Sequence, residues 1–360
     1  MRKTYFTPGP AELFPTVERH YQDAFEQQLG SISHRSQKFR DIYKHTVEQL
    51  RILMNVPETN GIFFTSSATE IWERLIQNTV EHESFHLVNG SFSKKFYDFS
   101  VDLNKFAHKF EKPFGEGFDN AEIIVPEYAE LICTTANETS SGVQMRATEI
   151  HKLKRANKDK FICVDMVSSA PYPDLDFNIV DSAFFSVQKS FGMPAGLGCW
   201  IVNPAMLEKA ERMKTHENQI GTYHNLPSLF KNFSKFETPE TPNVMAIYVL
   251  GKVAEDMNKI GIENIRKQTE KKAKVLYDFA EKCDFLEIFV KNPDHRSQTV
   301  VVVNVKDKSA ADIIKQVQTD ANMVIGSGYG DFKATQLRIA NFAAVNLEQV
   351  ETLVEALRKV

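Results

Sequence analysis

Residues 161–165 read Phe-Ile-Cys-Val-Asp and residues 182–189 read Ser-Ala-Phe-Phe-Ser-Val-Gln-Lys, and these two stretches decide the fold. Each is a short apolar run that closes on one charged residue, Asp165 in the first and Lys189 in the second. Apolar runs of this length predict buried strands, and strands buried on both faces are typical of parallel sheets. Because open α/β sheets bind their ligands at the carboxyl ends of strands, we expect Asp165 and Lys189 to lie at a ligand-binding edge.

The rest of the chain continues the alternation of strands and helices. Apolar patterns predict strands at 62–64, 85–88, 122–125, 130–134, 161–164, 181–187 and 197–202, with helices at 36–57, 69–80, 93–107 and 145–158. The alternation of strands and helices along the chain predicts an α/β fold, with a parallel sheet covered by helices on both faces. A polar, aperiodic stretch at 221–243 predicts an irregular loop, and two helices separated near Gly261 follow it within 244–282.

The C-terminal part predicts a smaller α+β domain. Its pattern indicates strands at 285–290, 299–305 and 337–340 and helices at 309–319 and 346–358. The expected division is a large domain over residues 1–250, with residues 1–15 as an N-terminal arm, and a small domain over 251–360. The length of 360 residues agrees with roughly two domains.

Composition excludes several classes of protein. The 43 Lys and Arg against 47 Asp and Glu give a net charge of −4, so no basic field favours nucleic acid. No apolar run reaches the roughly 18–20 residues that span a bilayer, and the first ten residues lack the apolar core of a signal peptide. The four cysteines have neither metal-site nor redox-motif spacing. We therefore expect a cytoplasmic protein without membrane or nucleic-acid partners.

Lys189 and Asp165 are the residues with the clearest chemical potential. A desolvated lysine loses its proton more readily and suits Schiff-base chemistry. An aspartate at a neighbouring strand end could keep a pyridine nitrogen protonated, which makes the ring an electron sink. Spacing alone favours the other interpretation, a lysine that caps a strand beside a solvated aspartate.

Three further polar segments are candidates for binding. The turn from Thr65 to Thr69 precedes a helix and could hold an anion at its N–H groups, or it could simply cap that helix through Ser67 or Thr69. The loop with His34 and Arg35 precedes a long helix, and on these residues alone a capping loop at the surface is the favoured interpretation. Arg338 lies inside an apolar strand, where it needs a carboxylate ligand or a structural ion pair.

Taken together, the motifs resemble the class V pyridoxal-phosphate-dependent aminotransferases, and within them most of all the phosphoserine aminotransferases. The resemblance runs in order along most of the chain and rests on Phe6–Ala11 (Phe-Thr-Pro-Gly-Pro-Ala), Ser33–Ser36 (Ser-His-Arg-Ser), Asn137–Thr139 with Gly142, Asp165–Met166 with Ser168 and Ser169, Gln188–Lys189, and Thr238–Pro242.

The resemblance implies a type I aminotransferase fold with a large seven-stranded domain, a smaller C-terminal domain and a homodimer with shared active sites. It implies that pyridoxal 5'-phosphate is bound covalently by Lys189, which also moves the proton during catalysis. The other implied cofactor contacts are Ala68, Thr69, Phe92, Thr139, Asp165, Gln188 and, from the second subunit, Thr238. The implied substrate contacts are His34, Arg35 and Arg338.

The chain departs from that family in two places where a phosphate is expected. Many relatives carry a glycine-rich turn with an arginine where this chain has Ser66–Thr69, and a His-Arg pair six or seven residues before the carboxylate-binding arginine. Here residues 330–335 contain Asp331 and a single basic residue, Lys333.

These departures set the alternatives for function. The leading interpretation is transamination between O-phosphoserine with 2-oxoglutarate and 3-phosphohydroxypyruvate with glutamate, in serine biosynthesis. The alternative within the family uses a small amino acid without phosphate, such as alanine or serine, with glyoxylate or another keto acid. A desulfurase is disfavoured because it needs a mobile cysteine near the lysine. A non-catalytic dimer that only binds the cofactor is disfavoured because it would not need both Lys189 and Asp165.

Overall fold

A computed structural model describes residues 2–216 and 218–360. The α-helices are α1 (Val17–Glu26), α2 (Gln37–Met54), α3 (Ala68–Thr79), α4 (Ser91–Asp102), α5 (Ala147–Ala156), α6 (Pro204–Thr215), α7 (Leu226–Phe233), α8 (Val244–Ile260), α9 (Ile262–Ala280), α10 (Ala310–Ala321) and α11 (Leu347–Leu357). The strands are β1 (Thr4–Phe6), β2 (Gly61–Thr65), β3 (Glu83–Val88), β4 (Phe106–Glu111), β5 (Leu131–Thr135), β6 (Asn137–Glu138), β7 (Val143–Gln144), β8 (Phe161–Asp165), β9 (Ser182–Ser186), β10 (Gly198–Val202), β11 (Leu286–Ile288), β12 (Val300–Val305), β13 (Met323–Ser327) and β14 (Gln336–Ala340).

A seven-stranded sheet forms the larger part of the molecule, in the order β2-β10-β9-β8-β5-β3-β4. Its strands are parallel except β10, which runs antiparallel to both β9 and β2. The register pairs Thr135 with Asp165 and Asp165 with Phe184, so three strands bring their carboxyl ends to one edge. The predicted α/β class with a mostly parallel sheet is confirmed.

A second, five-stranded sheet has the order β1-β13-β14-β12-β11. Its first strand comes from the start of the chain, where Thr4–Phe6 pairs in parallel with Met323–Ile325. Helix α8 packs into the core of the larger sheet, and α9 packs into the core of the smaller one. Between these helices lies Gly261, whose φ of 86° lies in the left-handed region that favours glycine. The domain boundary at 250/251 stays a prediction.

Two predictions on the outer side of the large sheet are wrong. Residues 122–125 do not form a strand, and the chain makes a single 3₁₀ turn at Asn120–Glu122 instead. Ile124 is 84% exposed, so the apolar residues of this stretch do not indicate a buried strand. The edge strand β4 lies instead at Phe106–Glu111, inside and beyond the helix predicted at 93–107. The side chains of β4 are half-buried or exposed, so its sequence lacks the apolar pattern that would predict a strand.

The predicted irregular loop at 221–243 contains a helix, α7. Asn225 caps its N-terminus by accepting a hydrogen bond from the Ser228 N–H, at 3.0 Å, and Pro227 lies in its first turn. Only Leu226 and Leu229 of the helix are buried, which is too short a pattern to predict it. The strands β1 and β13 are likewise absent from the prediction.

The cysteines are free thiols, as their spacing predicts. Cys133, Cys163 and Cys199 are buried in strands of the large sheet, and Cys283 is half-buried. Burial raises the pKa of each of the three strand thiols. Among residues 2–216 and 218–360, no helix is both long and apolar enough to cross a lipid bilayer.

Candidate active site

A cavity of about 810 Å³ opens at the carboxyl edge of the large sheet. This volume lies in the range of about 300–1,000 Å³ that is typical of pockets for small molecules. The cavity brings together seven of the predicted site residues: Ala68, Thr69, Phe92, Thr139, Asp165, Gln188 and Lys189. The sheet therefore gathers side chains that are more than 100 positions apart in the sequence.

Lys189 lies in the turn three residues beyond the end of β9, rather than in the strand itself. Its Nζ donates a hydrogen bond to the Pro8 carbonyl and lies 5.9 Å from the centre of the Phe92 ring. Burial, with the nearby positive charge of Arg338, lowers the pKa of Lys189 to about 8. The amine is therefore neutral far more often than an exposed lysine, as a nucleophile requires.

Asp165 ends β8, and its carboxylate is buried beside Trp72. Oδ1 accepts from the Val167 N–H at 2.9 Å, and Oδ2 accepts from the Trp72 indole Nε1 at 3.2 Å. Burial, together with the charge of Glu138, raises the pKa of Asp165 to about 7. A carboxylate in such surroundings favours a cationic partner in the cavity, because a positive charge would stabilise its ionised form.

Helix α3 begins at the wall of the cavity. The Ser67 hydroxyl caps the helix by accepting from the Glu70 N–H at 3.2 Å, so the predicted cap is present. The Ala68 N–H donates to the Ser186 hydroxyl at 3.0 Å, which ties the helix to the end of β9. Since Ser67, Ala68 and Thr69 also line the cavity, the cap and an anion-binding helix end coincide here.

A buried carboxylate that the sequence analysis passed over, that of Glu138, fixes the position of Phe92. Its Oε2 accepts from the N–H groups of Phe92 and Ser93 at 3.2 and 2.8 Å and from the Ser93 hydroxyl at 2.9 Å. Its Oε1 accepts from the Ser140 hydroxyl at 2.7 Å. A Cβ at Gly90 would lie 2.3 Å from Cγ of Glu138, so only glycine leaves room for this contact. Glu138 thus caps α4, which carries Phe92 into the cavity.

Arg338 lies on β14 at the junction between the smaller sheet and the cavity wall. Its Nε donates to the Ser327 carbonyl at 2.8 Å, and a terminal nitrogen donates to the Thr139 carbonyl at 3.4 Å. Its guanidinium lies 5.4 Å from the centre of the Tyr329 ring. In the described chain no carboxylate reaches ion-pair distance of Arg338, so the structural ion pair left open by the sequence is absent.

The remaining predicted residues lie away from the cavity of their own chain. Arg35 donates to one carboxylate oxygen of Glu237 at 2.6 Å, and Arg40 donates to the other at 2.5 Å. The Thr238 hydroxyl donates to the Glu240 carbonyl at 2.7 Å. His34 is half-buried in the turn before α2. Within one chain these residues do not complete the site.

A buried histidine joins the segment around Thr238 to the N-terminus of α3. His224 Nδ1 lies 2.6 Å from Glu70 Oε1, and Nε2 lies 2.8 Å from Glu240 Oε2. Burial opposes the charge, but the hydrogen bonds to Glu240 and Glu70 prevail and raise the pKa of His224 to about 9. Two carboxylate partners fit an imidazolium that donates from both nitrogens.

Comparisons with known proteins place this site in a family. The family model for class-V aminotransferases matches residues 116–334, which is more than half of the chain. The chain belongs to the class-V aminotransferases. It is a pyridoxal-phosphate-dependent transaminase, as the sequence motifs predict.

Individual relatives of this class-V aminotransferase match over nearly their whole length. A solved phosphoserine aminotransferase from Cytophaga hutchinsonii is 48% identical, with a TM-score of 0.97 over 99% of this chain and 98% of that one. A phosphoserine aminotransferase of Nocardioides sp. is 27% identical, over 98% of this chain and 94% of its own. A pyridoxal-phosphate-bound phosphoserine aminotransferase from Trichomonas vaginalis is 20% identical, with a TM-score of 0.79 over 99% of this chain and 100% of that one, and shows the same fold.

The residues of this class-V aminotransferase fit the cofactor. The cavity holds a primary amine at Lys189, a buried carboxylate at Asp165 and a helix N-terminus at Ala68. These match the aldehyde, the pyridine nitrogen and the phosphate of pyridoxal phosphate in chemistry. The buried Oδ1 of Asn137, a cavity-lining residue, also has no hydrogen-bond partner within the described chain, as expected where a ligand group completes the site.

Proposed function

We propose that this aminotransferase interconverts O-phosphoserine and 2-oxoglutarate with 3-phosphohydroxypyruvate and glutamate, a step of serine biosynthesis. The observation that carries the proposal is the 48% identity, over almost the full length of both chains, with the solved phosphoserine aminotransferase of Cytophaga hutchinsonii. Lys189 and Asp165 in the cavity supply the transaminase chemistry that this function needs.

The roles of the cavity residues follow from their positions. When bound, pyridoxal phosphate supplies an electron-withdrawing ring that stabilises negative charge at the substrate Cα. With the cofactor bound, Asp165 would hold the ring nitrogen protonated, and Phe92 would contact the ring. Lys189 would hold the cofactor covalently, and its amine would take the proton from the substrate Cα and return it. Its pKa of about 8 suits an acid–base group that works near neutral pH.

The start of α3, with Ala68 and Thr69, would hold the phosphate of the cofactor together with Gln188, and Thr139 would be a further cofactor contact, since all four residues line the cavity. Arg338 binds the α-carboxylate of the substrate, since a guanidinium pairs with a carboxylate through two parallel hydrogen bonds. Its present partners are backbone carbonyls, so its charge is available to a substrate.

The active form is a homodimer in the cytoplasm, in which each subunit completes the other's site. This assigns Thr238 to the cofactor phosphate of the second subunit, and His34 and Arg35 to its substrate. The support is that these residues lie apart from the cavity of their own chain. The ion pair of Arg35 with Glu237 reduces the charge that Arg35 can offer to a substrate.

The sequence of residues 330–335 favours the alternative substrate, a small amino acid without phosphate, because it has Asp331 and lacks a His-Arg pair. One experiment decides between the two. Purified holoenzyme is mixed separately with phosphoserine, glutamate, serine and alanine, and the change in visible absorption of the cofactor is followed. We expect phosphoserine and glutamate to react at low concentration. Fast reaction of alanine or serine, with none from phosphoserine, would establish the alternative.

A further inference from the structure

Lys95 lies at the mouth of the active-site cavity, one helical turn after Phe92 on α4. It lines the cavity together with Lys189, and these are the two basic residues in the cavity lining of the described chain. Its Nζ donates a hydrogen bond to the Tyr329 hydroxyl at 3.0 Å and lies 5.6 Å from the centres of both the Phe92 and the Tyr329 rings. The side chain is therefore held toward the cavity although its residue is exposed.

The charge of Lys95 has no carboxylate partner. The neighbouring Lys94 donates to both carboxylate oxygens of Asp98, at 2.8 and 2.7 Å, and so compensates that charge. Asp102 also lines the cavity, but it does not reach ion-pair distance of Lys95. Throughout residues 2–216 and 218–360, no acidic side chain pairs with Lys95. A cation with only a phenol as partner retains two N–H donors for an anion.

Two aromatic rings connect Lys95 to the reacting groups. The Lys95 Nζ lies 5.6 Å from the centre of the Tyr329 ring, and the Arg338 Cζ lies 5.4 Å from the same centre. The centre of the Phe92 ring lies 5.6 Å from the Lys95 Nζ and 5.9 Å from the Lys189 Nζ. The two rings contact each other, with their centres 5.2 Å apart. A substrate whose amino group meets Lys189 and whose carboxylate meets Arg338 thus has a third cation within its reach.

We propose that Lys95 binds the distal anionic group of the substrate, the phosphate of phosphoserine or the side-chain carboxylate of glutamate, and that Tyr329 positions it through its hydroxyl. The inference rests on the proposed function, because it names a specificity-determining residue for that substrate class. It also accounts for the absence of the His-Arg pair from residues 330–335. A lysine suits this task because a compact ammonium meets phosphate and carboxylate alike as a point charge.

The test compares Lys95→Gln with Lys274→Gln, a control that removes an exposed lysine of α9, which pairs with Asp278 and is not in the cavity lining. Both variants are reacted with phosphoserine, glutamate and alanine, and kcat/KM is measured for each. A charge-assisted hydrogen bond lost at a partly exposed site corresponds to roughly a tenfold effect or more. We expect Lys95→Gln to lower kcat/KM for phosphoserine and glutamate about tenfold more than for alanine. Lys274→Gln should leave this ratio unchanged.

Two further measurements separate binding from a structural role. Inorganic phosphate should inhibit the reaction of the wild type, and Lys95→Gln should raise its inhibition constant, while Lys274→Gln should not. Tyr329→Phe keeps the ring but removes the hydroxyl, and should shift the ratio in the same direction by a smaller factor. Far-UV circular dichroism and the melting temperature confirm that each variant is folded.

The outcomes distinguish this inference from the proposed function. If the wild type reacts with phosphoserine but Lys95→Gln loses activity toward all three substrates equally, or toward none, the assignment of Lys95 is wrong and the function stands. If the wild type reacts with glutamate but not with phosphoserine, the function is wrong, and the glutamate-to-alanine ratio still tests Lys95. If the wild type reacts only with alanine, both are wrong.

Discussion

At the scale of single residues, burial brings two acid–base groups toward the same pH range. The pKa of Lys189 falls to about 8, and that of Asp165 rises to about 7, although their ordinary values lie more than six units apart. Each shift has the same main cause, because an apolar cavity disfavours the charged form of either group. The geometry thus prepares Lys189 for proton transfer near neutral pH, and it makes the ionised form of Asp165 depend on a cationic partner in the cavity.

The lowered pKa of Lys189 predicts how the apoenzyme takes up its cofactor. Only the neutral amine attacks an aldehyde, so the rate of cofactor incorporation should rise with pH and level off above about pH 8, rather than near 10.5. The rate is measured from the visible absorption that appears after mixing apoenzyme with pyridoxal phosphate. Borohydride reduction followed by peptide mapping should find the label on Lys189, and Lys189→Ala should neither incorporate the cofactor covalently nor catalyse transamination.

A label on any other lysine would contradict this assignment, as would an incorporation rate that still rises at pH 10. The control is Lys94→Ala, which removes an exposed lysine of the same region outside the cavity. It should show the same pH profile as the wild type.

At the scale of elements, the start of α4 depends on one buried carboxylate. Glu138 accepts hydrogen bonds from five donor groups, the N–H of Phe92 and the N–H and hydroxyl groups of Ser93 and Ser140. Replacing Glu138 with glutamine puts an NH2 group where one carboxylate oxygen accepts hydrogen bonds. An NH2 group donates, so it cannot pair with the N–H groups at this position. We expect Glu138→Gln to lower the free energy of unfolding by about 1–3 kcal/mol, measured by urea denaturation.

A matched control is Glu355→Gln, which removes an exposed charge paired with Arg358 and should change the unfolding free energy by less than about 1 kcal/mol. Equal effects of the two substitutions would show that Glu138 does not cap α4. If the cap positions Phe92, Glu138→Gln should also weaken cofactor binding, which fluorescence titration of the apoenzyme measures.

The contact of His224 with Glu70 and Glu240 predicts a pH-dependent stability. The folded state raises the pKa of His224 to about 9, from an ordinary value of about 6.5, so this contribution is fully present below pH 6.5 and is lost as the pH rises through about 9. The groups that face the contact are Tyr223, which stacks on the imidazole, and Arg74, which lies 4.0 Å from Glu70.

The measurement is the free energy of unfolding of the wild type and of His224→Gln between pH 6 and pH 10. The difference between them should be largest below about pH 6.5, should shrink as the pH rises from about 6.5 to about 9, and should level off above that. His216→Gln, an exposed histidine near Glu81, serves as the control and should give no such trend. A difference that grows with pH would contradict a charged His224.

Much of this architecture could be predicted at the level of elements. Strands β8 and β9 are short, mostly apolar and almost entirely buried, so composition alone marks them; β8 ends at Asp165, and Lys189 follows the end of β9 by three residues. The edge strand β4 could not be found, because a half-exposed strand carries no apolar signal. Trp72, Lys95 and Tyr329 were missed because only the tertiary fold brings them to the cavity.

At the scale of the whole molecule, the position of Thr238 outside the cavity of its own chain predicts that activity requires assembly. In a two-fold symmetric dimer, each interface contact occurs twice, so both sites would be completed together. We expect specific activity to fall on dilution in parallel with the dimer fraction measured by mass photometry. Thr238→Ala should weaken cofactor binding without changing the dimer dissociation constant.

The matched control is Thr319→Ala, which removes a hydroxyl that bonds only within its own helix. It should leave cofactor affinity and assembly as in the wild type. A monomer that retains full activity would overturn the shared-site arrangement.

The pairing of Thr4–Phe6 with Met323–Ile325 has a consequence for biosynthesis on the ribosome. The large sheet uses strands from residues 61–202 and can close while the C-terminal third is still being translated. The first strand to emerge must wait for a partner more than 300 residues later. Until then the segment that meets Lys189 through Pro8 is held from its C-terminal side, where the Ala11 N–H donates to the Gln188 carbonyl at 3.0 Å. We therefore expect the nascent chain to complete the substrate site, to which β14 contributes Arg338, after translation is nearly complete.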